Sequence, residues 1–230
     1  MRPLLVDMHS HLIPDVDDGV DTVAESLEIL IRLSELGYQK AITTPHVMGD
    51  YYPNDINTIK PKLNELQELI LQESIDIEIE AAAEYYLDEH FMQLLQTPDQ
   101  LLTFGANYLL IETSFINEPA FLREGIFQII SAGLQPVLAH PERYVFIQND
   151  PEIAEDLVER GVLLQLNLLS LTGYYSKAAR KVAEKLIDQE LVSFAGSDCH
   201  NIRHLSSMTD VLDGKYYKKL MQLELLNNTL

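Results

Sequence analysis

Short apolar runs alternate with longer stretches of helical period along this chain. The first run, Pro3-Leu4-Leu5-Val6, has the unbroken apolar character of a buried strand, and the stretch 22–36 then sets Val23, Leu27, Leu30 and Ile31 on one helical face. Thr22 and Glu25 carry the spacing of a capping box, with Gly37 as a natural stop. A strand over 40–44 leads to Pro45-His46, a loop covers 47–57, and a helix is predicted over 58–72. Ile75, Ile77 and Ile79 alternate with Asp76, Glu78 and Glu80, which is strand period, and Glu84 lies just beyond. A short helix over 89–95 precedes the buried-strand run Tyr108-Leu109-Leu110-Ile111, which ends in Glu112. Further on, helices over 120–132, 152–160 and 177–189 alternate with strands over 136–139, 162–166 and 191–196, and a last helix spans 215–226. These three strands run into His140, into Asn167, and into Asp198 and His200.

About seven β-then-α units follow one another with no Gly/Ser linker, charge block or repeat to mark a boundary. The expectation is a single α/β domain over 1–230, with a closed or nearly closed parallel barrel favoured over an open doubly wound sheet. Periodicity does not count sheet edges, so the open sheet stays as the alternative.

Composition narrows the class. At 47% hydrophobic and 23% charged, the chain has ample material for a sizeable core. No apolar run has the length of a membrane span, and the start MRPLLVDMHSH lacks a signal peptide's apolar region. The single cysteine, Cys199, permits no intrachain disulfide and fits a reducing compartment, so the expected location is cytoplasmic. A formal net charge of −20 opposes nucleic-acid binding. It leaves room for an anionic substrate only where bound cations and arginines face it.

The candidate chemistry lies at the strand ends. His9 and His11, two apart in an extended segment, project to one face, as metal-binding imidazoles would. Two surface histidines leaving a strand would look the same in isolation. The later strands decide: Asp18 follows the first, His46 the second, Glu84 the third, Glu112 the fourth, His140 the fifth, and Asp198 with His200 the seventh. In a β/α barrel these ends open onto one face, so distant segments converge. A ligand set of nitrogen and oxygen without thiolate suits two or three divalent ions such as manganese, iron or zinc. Adjacent cations of this kind serve phosphate ester hydrolysis, by lowering the pKa of water and clamping the attacking and leaving oxygens.

Arg143, three residues past His140, is placed to grip phosphate oxygens in a bidentate manner, and Arg203 and His204 follow His200 closely enough for similar work. Cys199 alternates away from its two neighbours and lacks the arginine spacing of a thiol phosphatase, so it reads as core packing. Tyr51, Tyr52 and Asn167 are lesser candidates for lining the site.

The segments DMHSHLIPDVDDG, TTPH, AEYY, ETSF, HPERY and GSDCH, taken together, resemble the PHP (polymerase and histidinol phosphatase) superfamily. More narrowly, they are similar to its manganese-dependent protein-tyrosine phosphatases of bacterial capsule and exopolysaccharide systems. That resemblance implies a distorted seven-stranded β/α barrel with three metals. His9, His11, Glu84 and Asp198 would hold one; Glu84 would bridge to a second held by Glu112 and His140; Asp18, His46 and His200 would hold the third. It further implies a metal-bound hydroxide as the attacking group, Arg143 on the phosphoryl oxygens, and the tyrosine-phosphorylated tail of a bacterial kinase as substrate. Arg203 stands closer to the DxH histidine than the second phosphate-binding arginine of relatives does. Another PHP phosphomonoesterase such as a histidinol-phosphate phosphatase, and a metalloprotein that docks phosphotyrosine without cleaving it, are the rival readings.

Overall fold

Parallel pairing organises every ladder of the molecule. The computed structural model describes residues 4–230; Pro3, placed by its sequence in the first strand, lies outside the described residues. Among the described residues nine strands form: β1 (Val6–Asp7), β2 (Lys40–Thr43), β3 (His46–Val47), β4 (Glu78–Ala81), β5 (Glu84–Tyr86), β6 (Tyr108–Glu112), β7 (Gln135–Ala139), β8 (Leu163–Asn167) and β9 (Val192–Gly196). They fall into a three-stranded sheet, β1-β2-β4, and a six-stranded sheet, β3-β5-β6-β7-β8-β9.

The strand count, and the division into two sheets, differ from the seven strands expected. After the second and third predicted strands the ladder breaks and the chain then forms a further short strand, so β2 is followed by β3 and β4 by β5, in a different sheet. The break after the second falls at Thr44-Pro45, where proline has no N–H to give a ladder. Single bonds carry the pairing across the gap: the Ala82 N–H donates to Thr43 O (2.9 Å) and the Glu84 N–H to Pro45 O (3.1 Å). Beyond β1 the chain is held on both sides. Thr44 N–H donates to Ser10 O (2.6 Å), His11 N–H to Cys199 O (2.9 Å) and Asp198 N–H to His9 O (2.8 Å), and Ser10 forms an isolated parallel bridge with Cys199.

Nearer their starts, β1 and β9 are joined by a side chain. The buried Asn227 amide donates to Val6 O (2.9 Å) and Ala195 O (2.7 Å) and accepts from Ala195 N–H (2.9 Å), so it stands in for a missing stretch of backbone ladder. It belongs to the short turn Leu226–Thr229; the predicted helix over 215–226 ends earlier, as Lys215–Leu220.

The remaining helices lie close to where the pattern placed them. In Val23–Glu35, Thr22 accepts from Glu25 N–H, but the Glu25 carboxylate turns away from the cap and accepts from Ile202 N–H (3.4 Å). That bond ties the first helix to Ile202–Leu212, a helix the apolar pattern did not reveal. Ile56–Gln72 begins two residues before its predicted start because Asp55 and Thr58 form a reciprocal capping box.

Two apolar clusters result. The larger fills the space between helices and strands. The smaller gathers Val6, Met8, Ile42, Ala82, Leu110, Val137, Ala139 and Phe194, with Phe104. Most of its members stand within a few residues before a predicted ligand, so the cluster forms the floor on which the ligands rest.

Asn227→Ala would leave three buried backbone groups without partners and should cost about 2–4 kcal/mol. Urea unfolding checks this: the midpoint should fall well below that of the parent, and an unchanged midpoint would show that the β1–β9 junction does not need the amide.

Candidate metal centre

The strand segments deliver nine predicted ligands to one cavity. His9 and His11 follow β1, Glu112 ends β6, His140 follows β7, and Asp198 and His200 follow β9. His46 and Glu84 were expected just past strand ends; they instead open β3 and β5, where they are direct register partners. Their donor atoms close into four groups, each within 4.8 Å: His11-Asp18-His46-His200, His9-His11-Glu84, His9-His140-Asp198 and His46-Glu84-Glu112. Burial is graded. His9, His11, Glu84, Glu112, His140 and Asp198 are buried, His46 and His200 are half-buried, and Asp18 is exposed at the mouth. Glu112 lies nearer His46 than the family pattern implied, with Oε1 2.9 Å from His46 Nδ1, while His140 Nε2 is 3.0 Å from Glu84 Oε1.

The ring nitrogens fit cations. His9 Nδ1 is 2.8 Å from Gln165 Oε1, and His11 Nδ1 is 2.7 Å from Asp17 Oδ2. With a proton on each Nδ1, both Nε2 atoms turn lone pairs inward, and they face one another at 3.3 Å. Glu84 Oε2 lies 3.0 Å from one and 3.4 Å from the other, and Asp198 Oδ1 lies 3.4 Å from both. Such a knot of lone pairs and carboxylates, with the outer nitrogens held by an acceptor, suits a divalent cation. His46 Nδ1, Glu112 Oε1 and His140 Nδ1 are buried without a hydrogen-bond partner; the short approach of His46 to Glu112 lacks hydrogen-bond geometry.

Electrostatics divide the acids. Burial works to raise the Glu84 carboxyl, but His9 and His46 pull it well below the usual range. Burial raises Glu112, reinforced by the neighbouring Glu84 charge. Asp198 is also desolvated, yet His9, His11, His200 and Arg143 hold it well below the ordinary carboxylate value. His140 moves the other way: burial and then the Arg143 charge push it down to about 4, so it is a neutral imidazole ready to donate a lone pair.

Two ligands sit in strained backbone. His140 has φ 36° and Asp198 φ 51°, left-handed values rarely adopted by side-chain-bearing residues. The chain turns sharply there, and each turn costs on the order of 1–2 kcal/mol that the surrounding structure must offset.

Arg143 belongs to the same cavity. Its Nη1 donates to Asp198 Oδ2 (2.7 Å), and its guanidinium carbon lies over the rings of Phe115 (4.8 Å) and Tyr175 (4.2 Å). Arg203 differs. It is exposed on the first turn of Ile202–Leu212, its backbone N–H donates to Asn201 Oδ1 (3.0 Å), and no hydrogen bond or ion pair of the cluster uses its side chain among the described residues. Its neighbour His204 presents Nδ1 as acceptor to His200 N–H (3.3 Å). Tyr52 stacks on His46 at 5.7 Å, whereas Tyr51 is exposed. Asn167 does line the site: its amide donates to Asp198 Oδ2 (2.8 Å). Cys199 is buried with its thiol directed at Asn201 O, and burial pushes that thiol up, away from nucleophile duty.

Sequence reasoning missed the residues that hold the ligands. Asp17 binds His11 Nδ1 and the His46 N–H (2.9 Å). Glu142, buried, accepts from Asn167 N–H (3.1 Å) and Ser170 Oγ (2.7 Å) and so fixes the turn that carries Arg143. For Gln165 a signal existed: it is the one polar residue within the run Leu163-Leu164-Gln165-Leu166.

Comparison with known proteins adds context to this geometry. A family model described as "Capsular polysaccharide synthesis, CpsB/CapC" matches residues 5–229. The CapC protein of Staphylococcus aureus is 29% identical over 221 residues, covering 94% of this chain and 87% of that protein. Tyrosine-protein phosphatase YwqE of Bacillus subtilis is 27% identical over 220 residues, with the same coverage of 94% and 87%. A solved structure from work on YwqE of Bacillus subtilis and CpsB of Streptococcus pneumoniae, described as unique metal-dependent tyrosine phosphatases, superposes with a TM-score of 0.82 at 28% identity, covering 94% of this chain and 91% of that one.

Mn²⁺ added to chelator-stripped protein should raise Tm, by an amount equivalent to about 2.7 kcal/mol when free cation reaches a hundred times Kd. His46→Ala and Glu84→Gln should show a smaller gain. A Tm that ignores every divalent cation tried would refute the cation reading of the cluster.

Proposed function

Since the chain belongs to the CpsB/CapC family of capsular polysaccharide synthesis, we propose that it is a metal-dependent protein-tyrosine phosphatase. The observation that carries this reading is the set of four interlocking donor groups, sharing His9, His11, His46 and Glu84, with Arg143 tied to one of their carboxylates. Three divalent cations account for the number of donors, with manganese the first candidate and iron or zinc also suited to nitrogen and oxygen ligands. As in the family pattern, His9, His11, Glu84 and Asp198 would hold one, Glu84, Glu112 and His140 a second, and Asp18, His46 and His200 the third, although Glu112 groups here with His46 and Glu84, and His140 with His9 and Asp198.

When bound, such cations lower the pKa of water and neutralise charge on phosphoryl oxygens. The protein's own residues do the rest. Arg143, lying over the rings of Phe115 and Tyr175, presents guanidinium N–H groups to the phosphoryl oxygens in the planar match that lysine cannot make. Asn167 and Glu142 hold Asp198 and the Arg143 turn in register, so the phosphate is oriented before reaction. Gln165 and Asp17 keep the lone pairs of His9 and His11 directed inward. The buried thiol of Cys199 has no part in the reaction.

The substrate is a phosphotyrosyl protein, and the tail of a capsule-system kinase is the natural candidate. Cytoplasmic residence follows from that partner; among the described residues, no helix is long and apolar enough to cross a membrane. On this reading the two sheets are parts of one distorted barrel of seven strand runs in a single domain; the bonds from Asp198 N–H to His9 O and from His11 N–H to Cys199 O support its closure.

Protein loaded with Mn²⁺ should hydrolyse para-nitrophenyl phosphate and a phosphotyrosyl peptide, and prefer both to histidinol phosphate. His46→Ala and Asp198→Ala should abolish turnover, while Cys199→Ser leaves it nearly intact. Arg143→Ala should raise KM roughly tenfold or more, the loss of a charged hydrogen bond of about 1.5–3 kcal/mol. Steady-state kinetics on these variants decides the matter: binding of the phosphopeptide without release of phosphate would make the protein a docking module instead.

A further inference from the structure

We propose that Gln165 is a positioning residue for two of the cation ligands at once: it fixes which nitrogen of His9 is offered to a cation and where the His140 turn sits. The inference rests on the reading of the cluster as a cation site. Gln165 lies in β8, fully buried, and its side chain makes bonds to three separate groups. Oε1 is 2.8 Å from His9 Nδ1 and accepts from the His140 backbone N–H at 3.2 Å, while Nε2 donates to Leu166 O at 2.9 Å.

These partners leave no freedom in the amide. A backbone N–H can only donate and a carbonyl only accept, so His140 and Leu166 between them determine which end of the Gln165 amide is oxygen. The oxygen then faces His9 Nδ1, which must carry the proton. His9 Nε2 is left with its lone pair pointing at Glu84, Asp198 and the His11 nitrogen. A ring free to exchange tautomers would lack this bias, and a ligating imidazole whose other nitrogen is fixed binds metal more tightly.

The surroundings are shaped for this side chain. A Cβ at Gly196, on the adjacent strand β9, would come within 2.7 Å of His9 Cβ and 2.9 Å of Gln165 Nε2, so only glycine leaves room for both. The β8–β9 register also slips between Leu164 and Gln165, an irregularity that re-aims side chains locally. The same oxygen meets the strained residue His140, at φ 36°, and so helps to hold a backbone conformation its sequence disfavours.

Two variants and one measurement on the parent test this. Gln165→Met keeps the length and removes both polar functions; Gln165→Glu keeps the acceptor oxygen for His9 and His140. Titration calorimetry of the metal-free proteins with Mn²⁺ should show the Met variant binding about 10–100-fold more weakly at its tightest site. The Glu variant should stay near the parent. In the Zn²⁺-loaded parent, ¹⁵N spectra of the histidine rings should show His9 protonated at Nδ1 and bound through Nε2.

A folded Met variant with parental affinity overturns the proposal, as does equal weakening of the Met and Glu variants. Zinc bound through His9 Nδ1 overturns it as well, and this holds even if neither variant folds. A parent that binds no divalent cation would instead remove the cation reading on which the proposal stands.

Discussion

Three acidic side chains, Glu84, Glu112 and Asp198, are buried in one cavity, and the rest of the structure answers to that fact. Each ionised carboxylate taken out of water costs several kcal/mol unless compensated. Imidazoles supply part of the compensation and Arg143 another part, but the protein's own hydrogen bonds do not reach everything: Glu112 Oε1, His46 Nδ1 and His140 Nδ1 are left over. Apolar residues of the same volume would make a more stable core. The retained charge, the left-handed backbone at His140 and Asp198 and the close approach of two imidazole nitrogens are costs that the proposed cation-binding role accounts for. The apolar floor beneath, from Val6 to Phe194, is what allows the chain to carry that cost.

The loop after the first strand shows the same constraint worked out in a few residues. In Asp17-Asp18-Gly19, the first acid holds His11 and the His46 backbone, the second faces His46 (3.4 Å) and His200 (3.6 Å) at the mouth, and the third residue must be small. A Cβ on Gly19 would lie 2.5 Å from His11 Cβ. Two neighbouring carboxylates thus have different tasks, one buried behind a ligand and one exposed in front of it. Their order in the sequence decides which is which.

That division marks the limit of what the sequence showed. Helices and strands were legible because their signal is periodic and local, and the candidate ligands because all but Asp18 fall beside an apolar strand run. What holds them was not, because it depends on distant partners. Gln165 meets a histidine 156 residues away, and Asn227 closes a junction with Val6 across 221 residues. A lone asparagine near the C-terminus carries no local sign of such a role. The breaks after Thr43 and Ala81 were hidden for another reason. Periodicity counts apolar positions, whereas ladders depend on N–H groups; the short strands that resume at His46 and Glu84, the first just past Pro45, carry no apolar period of their own. The helix Ile202–Leu212 escaped notice because its start, Asn201-Ile202-Arg203-His204, reads as part of the ligand segment.

Under the proposed function, Asp198 is the residue through which cation and phosphate would be coupled. Its two oxygens face opposite ways: Oδ1 lies 3.4 Å from the Nε2 atoms of His9 and His11 and 3.3 Å from His200 Nδ1, while Oδ2 takes the Arg143 and Asn167 hydrogen bonds at 2.7 and 2.8 Å. On that reading, charge drawn toward a cation through Oδ1 would be charge withdrawn from Arg143, whose guanidinium would then be freer to engage an anion. In a chain of net charge −20, an incoming phosphate dianion meets repulsion nearly everywhere else. An arginine whose hold on its carboxylate loosens as the cations bind would attract that dianion only when the site is loaded. A lysine at the same place would hold Asp198 as a point charge but would lose the stacking on Phe115 and Tyr175, and with it the fixed direction of the donors.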